Sequence, residues 1–163
     1  HIPGHGRATT DSHLQLPHVD VPREALEARD FAPFKALNDL PFGMTAHIVF
    51  SDIDPDQSAT TSAKMIEVIR MDIGFDGVLM TDDLSMEALS GTLTDRATKS
   101  IAAGCDVVLH CNGDRDEMTE IADAAGDMSS AAQIRVIRAL AMRKTPENID
   151  IPQLEAELEA LLS

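Results

Sequence analysis

Gly77-Val78-Leu79-Met80-Thr81-Asp82-Asp83-Leu84-Ser85-Met86 starts as an unbroken apolar run and ends in two adjacent carboxylates. A short continuous apolar run opened by glycine reads as a strand buried on both faces, the kind a parallel sheet contains. Asp82 falls where that strand ends. A carboxylate there is held by a rigid element, which suits a nucleophile. The plainer use of such a residue, favoured for Asp83, is to cap the helical turn that follows by accepting backbone N–H groups.

Working outward, residues 106–110 form the next apolar run, after a helix over 94–103 that Gly104 closes. Upstream, Met65, Ile66 and Ile69 recur at helical spacing with Lys64, Glu67 and Arg70 between them, predicting a helix over 62–72 ended by Gly74. Before it, 44–50 reads as one short buried strand. Residues 22–40 read as a broken helix, with Pro22 in its first turn and Pro33 interrupting the run. Residues 1–20, rich in Gly, His, Pro, Thr and Asp, read as a long loop. Beyond residue 110 the pattern is helical, over about 115–125, 129–143 and 152–161. No internal repeat is present.

Strands alternating with helices predict an α/β fold with a parallel sheet covered by helices. Each strand runs into a polar cluster: 47–54, then Asp82-Asp83, then 110–114. Polar residues at the C-terminal ends of parallel strands mark the functional face of such folds. Three strands do not close a barrel, which takes about 250 residues. The sequence therefore describes either an open sheet or about half of a (β/α)₈ barrel.

The 163 residues suffice for one domain, and 44% hydrophobic content makes it globular. Aromatics are only 3%, so Ile, Leu, Val, Met and Ala must build the core. The net charge of −15, from 28 acidic and 13 basic residues, argues against nucleic acid and anionic membrane surfaces as partners. The acidity itself reads as solubility, or as a salt-rich environment. Cys105 and Cys111 are too few and too close for a disulfide framework and read as buried, inert thiols compatible with a reducing compartment. No apolar stretch approaches the ~18–20 residues of a membrane span. The opening residues lack an initiator Met, a basic start and an apolar segment, so the expectation is a piece of a longer or processed protein.

His1, His5, Asp11 and His13 lie within one short segment. They allow three readings: a zinc site, scattered loop residues, or an acid/base dyad. The dyad rests on Asp11 and His13 being two apart. A carboxylate accepting from one imidazole nitrogen orients the ring and raises its proton affinity, leaving the other nitrogen to move a proton near neutral pH. His110 reads as a strand-end residue near the mouth of the site. Met44, Met80 and Met86 read as core. Asp114-Arg115-Asp116-Glu117 reads as a helix start, where acids suit the dipole.

His1-Ile2-Pro3-Gly4-His5-Gly6 followed by Asp11-Ser12-His13 resembles the Lys-His-Phe-Pro-Gly-His-Gly…Asp-Ser-His stretch of the glycoside hydrolase family three β-N-acetylglucosaminidases. Val78 to Met86 resembles their nucleophile strand, Met44-Thr45-Ala46-His47 the strand before it, and Asp30-Phe31-Ala32-Pro33-Phe34 a further match. The resemblance runs over essentially the whole chain in order and spacing. It implies that 1–163 is the C-terminal half of a (β/α)₈ TIM barrel, with 1–20 as a catalytic loop and 145–163 as a C-terminal helical extension.

It also implies a retaining hydrolysis. Asp82 would be the nucleophile, and His13, oriented by Asp11, the general acid/base in place of the usual second carboxyl group. His1 would contact the sugar in the −1 subsite. The substrate class would be N-acetylglucosamine-containing muropeptides, cleaved in the bacterial cytoplasm during peptidoglycan recycling, with no metal or organic cofactor. The family's lysine before His1, and its substrate contacts from the first half of the barrel, have no counterpart here. Half a barrel calls for a partner, either the missing N-terminal half or a second copy. Two further readings stay open: an inactive barrel fragment with only a structural role, and a phosphorylase of the same fold.

Overall fold

The computed structural model describes residues 1–162. Its central sheet contains three parallel strands, β2 (Phe42–Met44), β4 (Val78–Asp83) and β5 (Val107–Leu109), in the order β2-β4-β5. Ile2 extends it past β2. Its N–H donates to the Met44 carbonyl at 2.7 Å, and its own carbonyl accepts from Ala46 at 3.0 Å, in parallel register with Thr45. Four parallel segments thus lie side by side in chain order. A doubly wound sheet reverses its order at a switch point, whereas a barrel adds its strands in sequence.

The expected strand over 44–50 is two separate pieces. Met44 ends β2, and Val49–Phe50 (β3) pairs in parallel with His18–Val19 (β1) in a small second sheet. Residues 45–50 are all buried. The apolar run records that burial and carries no mark of the point where the chain changes sheets. The 1–20 segment is accordingly a loop with both ends stitched in, through Ile2 at one end and β1 at the other.

The broken helix over 22–40 comprises α1 (Arg23–Ala25), a π-helical turn Leu26–Asp30 and α2 (Ala32–Ala36). Pro22 precedes α1 as its N-cap residue, not within its first turn. The helix expected over 62–72 is α3 (Ala63–Glu67) followed by a second π turn, Val68–Asp72. The wide turns have one packing reason. Phe31 N–H bonds to the Leu26 carbonyl at 2.9 Å, and Ile73 N–H to that of Val68 at 3.0 Å. Residues five apart thereby face the same way, and all four side chains are in the core. An α-helical period would turn one of each pair outward.

The later helices follow their caps. Thr92 and Asp95 form a reciprocal capping box on α4 (Leu93–Ala103), and Gly104 ends it in the left-handed region at φ 115°. Asp114 caps α5 (Arg115–Ala125) and Ser129 caps α6 (Ser130–Ala141). A last helix, α7 (Ile151–Leu162), buries none of its residues. No helix among the described residues is long and apolar enough to cross a membrane.

The two faces of the sheet differ. Leu79 packs with Ile66 and Ile69 beneath the helices, and Thr45 and Thr81 are fully buried. On the other face, Phe42 is 46% exposed, and Met44, Met80, Val107 and Leu109 are half-buried.

At the N-terminal end of β5, the Asp106 carboxylate accepts from Arg70 at 2.7 Å, Arg135 at 2.8 Å and the Leu79 backbone N–H at 2.9 Å. Asp106→Ala removes the carboxylate partner of Arg70 and one of the two carboxylates of Arg135, and leaves a buried amide unpaired. It is expected to cost about 3 kcal/mol or more, read as a lower urea midpoint with the slope unchanged.

Candidate active site

The C-terminal ends of the strands gather the titratable side chains. Asp82 is the penultimate residue of β4. Its Oδ1 accepts the backbone N–H of Asp83 at 2.9 Å, and its Oδ2 lies 3.0 Å from His1 Nε2. The carboxylate side chain is 18% exposed, so it is open to a ligand yet fixed at both oxygens. His1 reaches it because Ile2, the next residue, is locked into the sheet.

Asp83 does not cap a helix, contrary to the simplest reading of its position. Its carboxylate closes a turn by accepting from the Ser85 backbone at 3.0 Å and the Ser85 hydroxyl at 2.6 Å, and it reaches Cys111 N–H at 3.2 Å. Burial pushes its pKa up, but these donors outweigh that and leave it below the usual carboxylate value. The turn after β4 is also clamped by Arg96, whose Nη1 donates to the Leu84 and Met86 carbonyls at 2.7 and 3.2 Å.

Asp11 and His13 form the expected pair. His13 Nδ1 is 2.7 Å from Asp11 Oδ1, which also accepts the His13 backbone N–H at 2.9 Å. The hydrogen bond to Asp11 raises the His13 pKa above its ordinary value, helped by the fields of Asp11, Asp82 and Asp83. The backbone and ring N–H groups of His13 hold Asp11 below its own. The pair is exposed, the imidazole at 75%, on a loop tied down at two points. Ser12 Oγ meets His5 Nε2 at 3.2 Å, and the His13 carbonyl accepts Glu87 N–H from the segment after Asp82 at 3.4 Å.

His1 and Asp82 are thus in contact, and the Asp11–His13 pair is docked on the same segment as the nucleophile candidate. Among the described residues, no three His, Cys, Asp or Glu side chains converge as a metal site.

His110 directly follows β5, near enough for its field to help lower the Asp83 pKa. Its ring packs under α5 with Nε2 2.7 Å from Glu117. Of the cysteines, Cys105 is buried, with burial pushing its thiol up to about 12, but Cys111 is exposed, a correction to the reading of both as buried. Met86 is core, whereas Met44 and Met80 line the open face. Sequence reasoning missed the roles of Arg96, His5 and His47. His47 is fully buried, with Nε2 3.0 Å from the Asp83 carbonyl.

Residues 1–141 match the family described as "Glycosyl hydrolase family 3 N terminal domain". The chain belongs to glycoside hydrolase family 3. Among its family 3 relatives is a β-hexosaminidase of Alkalilimnicola ehrlichii, 43% identical over 116 residues, which make up 69% of this chain and 33% of that protein. The β-hexosaminidase of Actinobacillus pleuropneumoniae serotype 3 is 34% identical over 150 residues, 89% of this chain and 43% of that protein.

Two solved family structures show the same fold. A family 3 β-N-acetylglucosaminidase from a Paenibacillus species superposes with TM-score 0.78 at 30% identity, covering 93% of this chain and 32% of that one. NagZ from Neisseria gonorrhoeae, in complex with N-trifluoroacetyl-D-glucosamine, superposes with TM-score 0.73 at 36% identity, covering 85% of this chain and 40% of that one. The chain spans between about a third and two fifths of the length of these family 3 relatives. Its parallel strands alternating with helices belong to the TIM-barrel-type fold of the family 3 N-terminal domain.

Proposed function

We propose that this chain carries the catalytic half of an exo-acting β-N-acetylglucosaminidase that works by retaining double displacement. The observation that carries the reading is the Asp82 carboxylate, fixed at the open end of β4 by Asp83 N–H, with the Asp11–His13 pair docked on the segment that follows it.

In the first step Asp82 attacks the anomeric carbon. The bond to the leaving oxygen breaks, and that oxygen takes the proton of His13. In the second, neutral His13 takes a proton from water, whose oxygen attacks the same carbon and releases Asp82. Asp11 keeps the imidazole turned and favours its protonated form. His1, beside Asp82, contacts the sugar held there. The N-acetylglucosamine class agrees with the relatives named above, and muropeptide sugars recycled in the cytoplasm are the proposed source.

The barrel is proposed to be completed by four further strands, from a first half of the same protein or from a second copy. Ile2 and β5 are the outer segments of the described sheet, and the half-exposed face with Phe42 is apolar where a parallel sheet requires cover. The chain by itself is therefore expected to scatter light with a native mass above its 17.6 kDa. A stable, monodisperse monomer of that mass would remove the need for a partner half.

Product analysis with an aryl β-N-acetylglucosaminide in phosphate buffer tests the reaction. Free N-acetylglucosamine supports hydrolysis, and a sugar 1-phosphate would make the protein a phosphorylase. No turnover in an assembly with a complete barrel would leave only a structural role.

A further inference from the structure

We propose that His47 is a positioning residue for this reaction: by holding the carbonyl of Asp83 it fixes the N–H of that same residue against the carboxylate of Asp82. The inference rests on the reading of Asp82 as nucleophile. Its geometric part is independent of that reading.

The ladder between β2 and β4 stops short of the site. Its last paired residues are Met44 and Met80, followed by Thr45 N–H on the Met80 carbonyl at 2.8 Å. Beyond that point, the contact that ties residues 82–83 back to this neighbouring segment is the imidazole of His47, at 3.0 Å from the Asp83 carbonyl. On the other side, Cys111 N–H holds the Asp83 carboxylate, and Leu84 N–H bonds the Leu109 carbonyl at 2.9 Å. Residue 83 is thus gripped from both flanks, and its N–H points at Asp82 Oδ1 at 2.9 Å. The held carbonyl belongs to the 83–84 peptide and the donor N–H to the 82–83 peptide, and the two planes meet at the Asp83 Cα. Freeing the carbonyl from His47, which leaves it the Met86 N–H at 3.2 Å, loosens the Asp83 backbone that aims the donor at the nucleophile.

The protonation pattern of the network has one direction. A carbonyl only accepts, so His47 Nε2 carries the hydrogen. Burial pushes this imidazole below its ordinary pKa and favours the neutral form. Nδ1 then accepts the Thr60 hydroxyl at 2.7 Å, whose one hydrogen is shared with the Ala46 carbonyl at 3.2 Å, and Thr60 accepts that of Thr45 at 2.8 Å. Thr45, His47 and Thr60 are all 0% exposed. A buried polar chain in which each member satisfies the next is costly to break. Leucine or phenylalanine could fill the same volume. The histidine adds a donor at a fixed point on the backbone beside Asp82.

The test compares His47→Leu, which removes both nitrogens, with His47→Gln, whose amide can donate to Asp83 and accept from Thr60. The reporter is the Asp83 amide proton, followed by NMR in the full chain. In the wild type its hydrogen exchange is expected to be slow. In His47→Leu exchange is expected to rise about tenfold or more, while the amides of α4 keep their protection. His47→Gln is expected to restore it.

In an assembly that turns over the aryl glycoside, His47→Leu should lower kcat about tenfold or more with KM within about threefold, and His47→Gln should recover most of the loss. An unchanged Asp83 amide in folded His47→Leu overturns the proposal. If that variant does not fold, Thr60→Val, which removes the Nδ1 partner, carries the same readout, and an unmoved Asp83 amide there overturns it equally. A wild type that hydrolyses no glycoside, with the Asp83 amide behaving as described, would sink the glycosidase reading and leave the positioning standing.

Discussion

Asp82→Asn is expected to lower kcat on an aryl β-N-acetylglucosaminide by on the order of 10⁴-fold or more, because it removes the atom that bonds to the sugar. The substitution keeps the shape of the side chain and one oxygen able to accept Asp83 N–H. It removes the negative charge beside His1, 3.0 Å from Oδ2. The fold should hardly notice, since Asp82 serves no ladder bond with its side chain and is partly open. The measurement is steady-state turnover paired with a urea transition on the same preparations. A loss near the expected size with an unmoved transition assigns the nucleophile to Asp82. A loss below about tenfold would mean that another group forms the covalent bond, or that none forms. Mass spectrometry of a trapped glycosyl-enzyme separates these outcomes, because the sugar should sit on the peptide that contains Asp82.

The parts of this site that were legible in the sequence are those whose chemistry is local. Asp11 and His13 are two residues apart, so their 2.7 Å contact needs nothing from the rest of the chain. Asp82 was placed by the apolar run before it, and the capping residues of α4, α5 and α6 set their helices. The missed features need contacts across long stretches. Arg96 reaches back to Leu84 and Met86 from the first turn of α4, and nothing in its neighbours distinguishes it from a solvated helix residue. His47 lies in an apolar run, where a buried histidine is more often merely satisfied than useful, and only its approach to residue 83 gives it meaning. The change of sheet within 44–50 was invisible because every residue from 45 to 50 is buried, so the pattern has no period to read. The π turns were invisible for a related reason. Pairs such as Leu26 and Phe31, or Val68 and Ile73, match neither a helical nor a strand period until the turn widens.

The open inner face has the same origin. A parallel strand buried on both sides has one composition, whether the cover comes from its own chain or from elsewhere. The sequence of β4 therefore announces a closed interior that these residues alone do not build. The site has the same division. On the proposed reading, nucleophile, acid/base and one sugar contact come from this chain, and the remaining wall of the subsite would face them from the other side of the barrel. Binding and chemistry are accordingly separable: variants here should act mainly on kcat, and changes in the completing half mainly on KM.

His13→Ala is expected to divide substrates by leaving group. A poor leaving group needs its oxygen protonated as the bond breaks, so loss of the general acid should cost about 10²–10⁴-fold in kcat/KM on an alkyl or sugar aglycone. An activated aryl oxide leaves without that proton, and its kcat/KM should fall far less. Equal losses on both would remove His13 from the role. The pH dependence supplies an independent check, and its sign follows from the geometry. Asp11, bonded to Nδ1, raises the His13 pKa, so the protonated acid persists to higher pH than a free imidazole would allow. The alkaline limb of kcat/KM reports that group in the free enzyme. Asp11→Asn removes the charge and the upward push, so the limb should move toward lower pH, with a smaller loss of activity than in Asp82→Asn. Both groups are exposed, so the transition in urea should stay where it is. An alkaline limb unmoved by Asp11→Asn would mean that the acid is not His13 or that Asp11 does not govern it. The leaving-group dependence of His13→Ala then separates these two, because only a true acid makes the poor leaving group suffer more.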